Sequence, residues 1–320
     1  MQKRCWRPFA VCSTLQFPTQ KLDKPDDVGM PDQYKMPGQQ IMTARHTLTD
    51  RLCIILGTDD PAEKAGQTRQ LVADWHGGRI TAIGTATPPD RPGRPDRPEL
   101  KPPRDVPRRR IGPTPGGRIA LLHAIAHIEL NAIDLALDMA CRYTDAALPR
   151  AFFDDWLGVA DDEARHFLML SERLAGLDAA YGDLPAHDGL WQAAQETAHD
   201  LLARLAIAPL VLEARGLDVT PAMIDRLREV GDDASADAFA IIMHDEVGHV
   251  GVGKTWFDYA CGLQRLDPVS TWHRLVGTYF RGPLKPPFNI TAREAAGFAA
   301  AFYQPMSERS DLFAPPTEAG

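Results

Sequence analysis

The sequence predicts an all-α protein with four long helices in two hairpins and shorter peripheral helices. Apolar residues recur at spacings of three and four along residues 118–143, 149–176, 189–216 and 232–262, the pattern of a helix with one buried face. These segments do not show the strict alternation of a β-strand. A short pattern, Asp-Glu-x-x-His, occurs at residues 162–166 and again at 245–249. Both copies fall inside predicted helices, so the carboxylate and the imidazole of each copy share a helix face.

Charge and cysteine usage narrow the class of protein. The net charge is −8, which argues against a general affinity for nucleic-acid backbones, although a local basic patch would suffice to bind an RNA substrate. The five cysteines are odd in number and form no Cys-x-x-Cys pair, which indicates free thiols in a reducing compartment. We find no apolar run close to the ~18 residues that span a bilayer and no secretory pattern. We therefore expect a cytoplasmic protein without a membrane partner.

Composition divides the chain into five regions. Residues 1–41 have no helical or strand period and are interpreted as a disordered extension. Residues 42–80 are interpreted as a small helical segment that precedes the bundle. Residues 81–117 are rich in proline and arginine, so they are expected to run extended over the body. The predicted bundle covers 118–265, and short helices with a frayed tail cover 266–320. The basic cluster Arg108–Arg110 in the linker is interpreted as solvated and pinned to an acidic bundle, with an anionic-substrate or RNA contact as the alternative.

Proline and glycine set the predicted helix ends. Pro149 begins the second long helix and Gly176 ends it. The third is expected to bend near Pro209 and to end at Gly216, after which Thr220-Pro221 begins a short helix. Short helices are predicted around 269–280 and 291–303 in the C-terminal region.

Each Asp-Glu-x-x-His copy has a glutamate upstream at nearly the same distance. Glu129 precedes Glu163 by 34 residues, and Glu213 precedes Glu246 by 33. All four glutamates lie on apolar stripes, where an unpaired carboxylate costs several kcal/mol unless a cation or proton neutralises it. Two hairpins that each supply Glu plus Glu-x-x-His make the ligand set of di-iron and di-manganese bundles. The candidate ligands are Glu129, Glu163, His166, Glu213, Glu246 and His249, with the four glutamates also as candidate catalytic groups.

Other polar residues are candidates for lesser roles. Asp162 and Asp245 each lie four residues before a candidate ligand histidine, so they are interpreted either as partners that orient an imidazole or as solvated acids. A third Glu-x-x-His, Glu196 to His199, has polar neighbours and is interpreted as solvated. We expect core hydrogen bonding from His123 and His127, and no ligand role for His244. Trp156 is expected in the core, with access-channel shaping as the alternative, and Tyr181 with residues 183–191 is expected to cover one end of the bundle.

Several stretches of the chain resemble a bacterial ferritin-like family that is catalogued as a domain of unknown function, group 455. The matching stretches, within about residues 43–285, are LLHAIAHIELNAIDLALD, WLGVADDEARHF, YGDLPAHDGLW, LVLEARGLDVTP and DEVGHV. The resemblance implies a ferritin-like fold, and the six candidate ligands match the ligand pattern of the family. It implies no substrate. A more distant similarity, in site arrangement only, is to tRNA-modifying non-haem di-iron hydroxylases.

The favoured function is an oxidoreductase that uses two iron ions, or manganese, with O2 as co-substrate. The chain would oxidise or hydroxylate a small molecule or a modified nucleoside, with electrons from an unidentified donor, as a monomer or homodimer. The alternatives are ferroxidase or iron-handling activity without an organic substrate, and a metal-stabilised scaffold or binding protein.

Overall fold

The computed structural model of the chain describes residues 47–102, 105–106, 111–112, 114–144, 148–280 and 283–308. Regular structure in these ranges is helical throughout, and the one β-type pairing is an isolated bridge between Leu100 and Ala186. The all-α prediction is therefore confirmed for the described residues. The predicted extension 1–41 and the cluster Arg108–Arg110 lie outside them.

Two short helices form the small helical segment predicted over residues 42–80. Helix α1 (Leu48–Leu56) begins at a capping box, in which the side chain of Thr47 accepts from the amide of Asp50 and the Asp50 carboxylate accepts from the amide of Thr47. Helix α2 (Pro61–His76) has Asp60 as its N-cap and proline as its first residue, the arrangement that favours helix initiation. Helix α1 packs on the next long helix, α3 (Pro115–Arg142), and α2 packs on the one after it, α4 (Arg150–Ala175).

The first two long helices agree with the predicted boundaries to within three residues. Helix α3 spans Pro115–Arg142 and α4 spans Arg150–Ala175. They pack along each other over much of their length. Gly176 ends α4, and its amide bonds the carbonyl oxygen of Glu172.

Helix α3 corrects the expectation that no segment is long and apolar enough to cross a membrane. Among the described helices it alone meets that test, with a mean hydropathy of 1.4 over 18 residues. Most of that window, 72%, is buried inside the protein, and buried Asn131, Asp134 and Asp138 lie on the same helix. A buried helix carrying such polar groups is typical of the core of a soluble protein.

The third long segment is more divided than predicted. Helix α5 (Gly189–Glu196) and helix α6 (Leu201–Ile207) are followed by a π-helical turn, Ala208–Glu213, and then by α7 (Ala214–Glu229). The π-helical turn contains Pro209, where a bend was predicted, and the amide of Ala214 bonds the Pro209 carbonyl oxygen five residues earlier. The chain forms a π-helical turn at the position where the sequence predicts a bend, and the prediction of a single helix over 189–216 is wrong.

The predicted helix end at Gly216 and helix start at Thr220-Pro221 are also wrong, because α7 continues through both positions. A proline inside a helix leaves the carbonyl four residues earlier without its amide donor. For Pro221 that carbonyl belongs to Leu217, and the side-chain amide of Asn289 donates to it over 3.1 Å. A distant residue therefore compensates for the bond that Pro221 cannot make.

Helix α8 (Asp233–Gln264) packs against α4, α6, α7 and the π-helical turn. Its close approach to the turn requires a glycine, because a Cβ atom at Gly253 would lie 2.3 Å from the Cβ of Pro209. Helix α9 (Pro268–Tyr279) follows as predicted, whereas the helix predicted over 291–303 is two helices, α10 (Ile290–Ala295) and α11 (Ala300–Glu308). Gly297, at φ +71°, lies in the turn between them.

The part of the proline-rich linker over residues 81–102, here called the strap, contains no helix. It is held by buried charges. Asp134 of α3 accepts from Lys64 Nζ over 2.8 Å and also from Arg94 of the strap, and Lys64 donates to the Gly93 carbonyl over 2.9 Å. Arg94 also donates to Asn131 over 2.7 Å. The strap is therefore fixed to the body by specific buried contacts, which the sequence did not reveal.

Candidate metal centre

Four helical segments each supply part of one polar cluster inside the apolar core. Helix α3 carries Glu129, α4 carries Glu163 and His166, and α8 carries Glu246 and His249. Glu213 is the last residue of the π-helical turn, an irregularity that is frequent at functional sites. The structure brings together the residues that the repeated pattern and its spacing predicted.

Glu163 lies between the two histidines. Its Oε2 is 3.5 Å from His166 Nδ1, and its Oε1 is 3.0 Å from His249 Nδ1. Glu129 Oε2 is 3.2 Å from His166 Nδ1, and Glu246 Oε2 is 3.7 Å from His249 Nδ1. The imidazole ring centroids are 5.9 Å apart. Both Nδ1 atoms thus face the glutamates, and Glu163 is close to both.

Several atoms of the cluster are buried without a hydrogen-bond partner among the described residues. They are Oε1 and Oε2 of Glu163, Oε2 of Glu213, Oε2 of Glu246 and Nδ1 of His249. The 3.0 Å approach of His249 to Glu163 is an ion-pair distance that does not satisfy hydrogen-bond geometry. Because buried polar atoms are normally paired, each such atom calls for an explanation, and an ion is one of the usual ones.

A single metal ion has suitable ligand atoms here. Four residues each offer one ligand atom, and these four atoms all lie within 4.8 Å of one another. The residues are Glu129, Glu163, His166 and Glu246. Three of these side chains are buried and Glu246 is partly buried. The chain therefore contains a buried acidic and histidine group that can hold a metal ion.

Electrostatics within the cluster are strongly perturbed. Burial raises the pKa of Glu129 well above its ordinary value, and the neighbouring Glu163 carboxylate raises it further. Burial, together with Glu246 and Glu163, raises the pKa of Glu213 to about 8. Burial opposes ionisation of Glu163 as well, yet the positive charge of His249 and the neighbouring His166 hold its pKa below the ordinary value. The four carboxylates thus need positive charge or protons to remain together.

Among the protein groups, the two histidines of the cluster supply that positive charge. Burial acts to lower the pKa of His166, but its hydrogen bond with Glu129 and the neighbouring carboxylate of Glu163 raise it to about 11. Burial opposes the charge on His249 too, and its pKa is nevertheless raised well above the ordinary value by Glu163 and Asp162. Buried imidazolium ions surrounded by carboxylates indicate a site that is built to contain cations.

The two aspartates contact the histidines, but in a crossed arrangement. His166 Nε2 is 3.0 Å from Oδ2 of Asp245 on α8, and His249 Nε2 is 3.4 Å from Oδ2 of Asp162 on α4. Each aspartate therefore contacts the histidine of the other helix, whereas the sequence pairs each with the histidine four residues on. Arg165, which was not among the predicted site residues, bridges the two aspartates, at 2.8 Å from Asp162 and 2.7 Å from Asp245. The one sequence feature that pointed to Arg165 was its position inside the first Asp-Glu-x-x-His copy, residues 162–166.

Three other histidines make their hydrogen bonds outside the cluster. His127 contacts the Tyr181 hydroxyl at 2.8 Å and the His187 carbonyl at 3.1 Å, and burial lowers its pKa to about 4. His123 Nε2 accepts from the Gly182 amide over 2.9 Å, so both residues anchor the loop before α5. His199 is exposed and contacts Tyr279.

The remaining expected residues have clear positions. Glu196 and His244 are exposed. Trp156 is buried and packs against Phe152, in agreement with a core role. Tyr181 stacks on His123 and His127, so it packs beside α3. The three cysteines of the described ranges are free thiols.

A cavity of about 200 Å³ adjoins the cluster, here called the inner cavity. It lies between α3, α7 and α8, and most of its lining is aliphatic or aromatic. The polar part of its wall includes three members of the cluster, Glu129, Glu213 and Glu246. An apolar cavity with a few convergent polar groups is the usual form of a small-molecule site.

Residues 57–304 match the protein family described as "Protein of unknown function (DUF455)". The chain belongs to this family. It is similar to an uncharacterized protein of Haemophilus influenzae, with 43% identity over 209 residues that cover 64% of this chain and 72% of that protein. No solved structure matches the chain. The family match includes all six residues of the cluster, so the cluster lies inside the DUF455 region.

Proposed function

We propose that this DUF455 chain is a ferritin-like protein with a dinuclear metal centre. In this assignment His166 and Glu129 would hold one ion, His249 and Glu213 would hold the other, and Glu163 and Glu246 would complete the ligand set. The buried carboxylate oxygens without hydrogen-bond partners carry the proposal, because two divalent cations would neutralise the four carboxylates and complete the bonding of those oxygens. Four helical segments that contribute Glu and Glu-x-x-His are the arrangement of di-iron and di-manganese bundles.

The donor set favours iron, with manganese as the alternative. Carboxylate-rich ligation with two imidazoles suits these metals better than zinc, whose structural sites are rich in thiolate or histidine. The three free cysteines of the described ranges take no part in the cluster. The crossed aspartates would hold the Nε2 hydrogen of each imidazole, which leaves Nδ1 to face the metals.

We further propose that the centre serves an O2-dependent oxidoreductase. Such a centre supplies the redox chemistry that O2 activation requires. A hydroxylation would convert one C–H bond and O2 into C–OH and water, with two electrons and two protons from a separate electron donor. The inner cavity supports a substrate-oxidising role over simple iron handling, because it offers an apolar chamber whose wall includes three of the glutamates.

The chain's own residues would prepare the site for this reaction. Aliphatic side chains of α3 and α8, among them Ile125 and Ile242, exclude water beside the carboxylates. The Arg165 bridge fixes Asp162 and Asp245 at the outer side of the two histidines. This rigid support keeps the ligand geometry, since helices hold a site more accurately than loops do.

The proposal is tested by loading the purified chain anaerobically with Fe(II) and then admitting O2. We expect O2 consumption in proportion to bound iron and a near-ultraviolet absorption band of the oxidised centre. Size-exclusion chromatography with light scattering on the same sample should give a monomer or dimer. A hollow shell of many subunits that accumulates iron would contradict the oxidase proposal, and no O2 consumption would contradict both redox roles.

Asp245→Asn should weaken metal binding by about 10- to 100-fold, the usual effect of losing a carboxylate that orients a ligand histidine. The variant removes the charged acceptor of His166 Nε2 and one partner of Arg165. Asp237→Asn on the same helix is the matched control, because Asp237 is exposed and pairs with Arg228. Competition with a chromophoric chelator measures both affinities, and equal values for the two variants would contradict the assigned role.

Metal binding should release protons, so affinity should rise with pH. At pH 7 the raised pKa values keep His166 and His249 protonated, and Glu213, with a pKa of about 8, largely neutral. Metals bind only the deprotonated forms. Raising the pH toward the pKa of Glu213 therefore removes protons that compete with the metal. A pH indicator in weakly buffered solution measures the release, and an affinity that stays constant between about pH 6.5 and 8.5 would contradict the account.

A further inference from the structure

A second cavity, here called the outer cavity, adjoins the inner one. Its volume is about 460 Å³, and four residues line both cavities, namely Ile128, Leu190, Leu212 and Arg215. The inner cavity has three glutamates on its wall and otherwise mostly apolar residues. The outer cavity is lined in part by Pro283, Leu284 and Phe288 and by charged side chains. A ligand that fills both would therefore meet an acidic end, an apolar middle and a second charged end.

The charge at that second end is positive. The outer cavity is lined by Arg215, Lys285 and Arg293, with Asp218 as its carboxylate. Arg293 is neutralised by Asp218, at 2.7 Å from Nη2 and 2.9 Å from Nε. Arg215 lies farther from the same carboxylate, at 3.4 Å. One carboxylate against three cations leaves an excess of positive charge.

Two of these cations are accessible to a ligand. Lys285 is exposed, and no carboxylate of the described ranges pairs with it. The described hydrogen bonds of Arg215 all use Nη1, which donates to the Lys285 carbonyl over 2.6 Å and to the Pro287 carbonyl over 3.3 Å. The remaining N–H groups of the guanidinium can bind an anion, and a carboxylate or phosphate matches that geometry.

We propose that the joined cavities bind an amphiphilic substrate with an apolar chain and an anionic end group, a carboxylate or a phosphate. The chain lies in the inner cavity against Glu129, Glu213 and Glu246, and the end group binds Arg215 and Lys285. The orientation follows from the cationic side chains, because Lys285 lies in the outer cavity and Arg215 where the two cavities meet, whereas the wall of the inner cavity is mostly apolar. The assignment of this ligand as the substrate rests on the proposed oxidoreductase function; its binding depends on the cavities alone.

Gly216 provides a variant that fills the inner cavity with little risk to the fold. It lies on α7 and lines the inner cavity, and a Cβ atom added there would meet no heavy atom within 4 Å. Gly216→Leu should therefore occupy the space of the apolar chain. Gly262→Leu is the matched control, because Gly262 is an exposed helical glycine with equally open surroundings. Lys285→Gln removes the exposed cation without touching the inner cavity.

Isothermal titration of the metal-loaded full chain with octanoate, octyl phosphate and octyltrimethylammonium tests the proposal, with metal content measured on every sample. We expect both anionic amphiphiles to bind, the tighter one identifying the end group, and the cationic one not to bind. Gly216→Leu and Lys285→Gln should each weaken binding about tenfold or more, which corresponds to losing one charge-assisted contact or the apolar site. Gly262→Leu should bind like the unaltered chain.

Equal binding of the cationic amphiphile, or unchanged binding of the anions by Gly216→Leu, would overturn the proposal. The metal measurement separates this result from a failure of the proposed function. A chain that binds octanoate but takes up no metal would refute the dinuclear centre and retain the amphiphile site. A chain that takes up metal but binds neither anion would refute the amphiphile site alone.

Discussion

Glu163→Ala is expected to reduce the metal content to one ion per chain at most and to abolish O2 consumption by the iron-loaded protein. Glu163 is the carboxylate that approaches both histidines, at 3.5 Å from His166 and 3.0 Å from His249, and both of its oxygens are buried without hydrogen-bond partners. Removing it eliminates a ligand that both ions would share. Elemental analysis after anaerobic loading and desalting measures the effect.

Glu196→Ala is the matched control for that variant. Glu196 begins the third Glu-x-x-His of the chain, but its side chain is exposed at the end of α5. We expect this variant to retain the metal content and O2 consumption of the unaltered chain. If Glu163→Ala keeps two ions while its helical circular dichroism is unchanged, Glu163 is not a shared ligand and the assignment fails.

Asp134→Ala is expected to destabilise the fold by about 3–5 kcal/mol, the range seen when one member of a buried ion pair is removed. Asp134 is fully buried and is the carboxylate partner of Lys64 and of Arg94 in the strap. The variant leaves two cations near each other without that partner. Burial already lowers the pKa of Lys64 although Asp134 acts to raise it, so part of the cost will appear as loss of the Lys64 proton. Urea unfolding followed by circular dichroism measures the change.

Two controls distinguish charge burial from simple truncation. Asp161→Ala removes a partly exposed carboxylate that pairs with Arg69, and exposed pairs of this kind contribute about 0–1 kcal/mol. The double variant Asp134→Leu with Lys64→Met replaces the buried pair by apolar groups, which should restore part of the lost stability. A cost below about 1 kcal/mol for Asp134→Ala would show that the strap is not held by this pair.

The site was more predictable than the helix boundaries, because its signal is local and repeated. The interval from Glu129 to Glu163 nearly equals that from Glu213 to Glu246, and helical periodicity places each glutamate on an apolar stripe. These features depend on short-range geometry that the sequence contains. The structure accordingly brings the six residues into one buried cluster.

The end of α7 could not be predicted, because the deciding contact is remote in sequence. Pro221 normally interrupts a helix, but Asn289 supplies a donor to the Leu217 carbonyl from 72 residues away. Gly216 does not end the helix either, and its surroundings do not require a glycine, because a side chain there would meet open space. Local propensity therefore predicts a helix end near Gly216, but tertiary contacts allow α7 to continue.

The crossed aspartates and the strap show the same limit for side chains. Position along one helix pairs Asp162 with His166, whereas the packing of α4 against α8 pairs it with His249. The linker composition indicates an extended surface segment, but it does not show that Arg94 reaches a buried carboxylate on α3. Both contacts depend on how distant elements pack, which neither spacing nor composition specifies.

Native mass spectrometry of the full chain during anaerobic titration with Fe(II) tests the dinuclear centre most directly. We expect uptake to stop at two ions per chain, with Glu196→Ala giving the same end point. Saturation at a single ion, no specific uptake, or uptake that continues far beyond two ions would contradict the proposed centre.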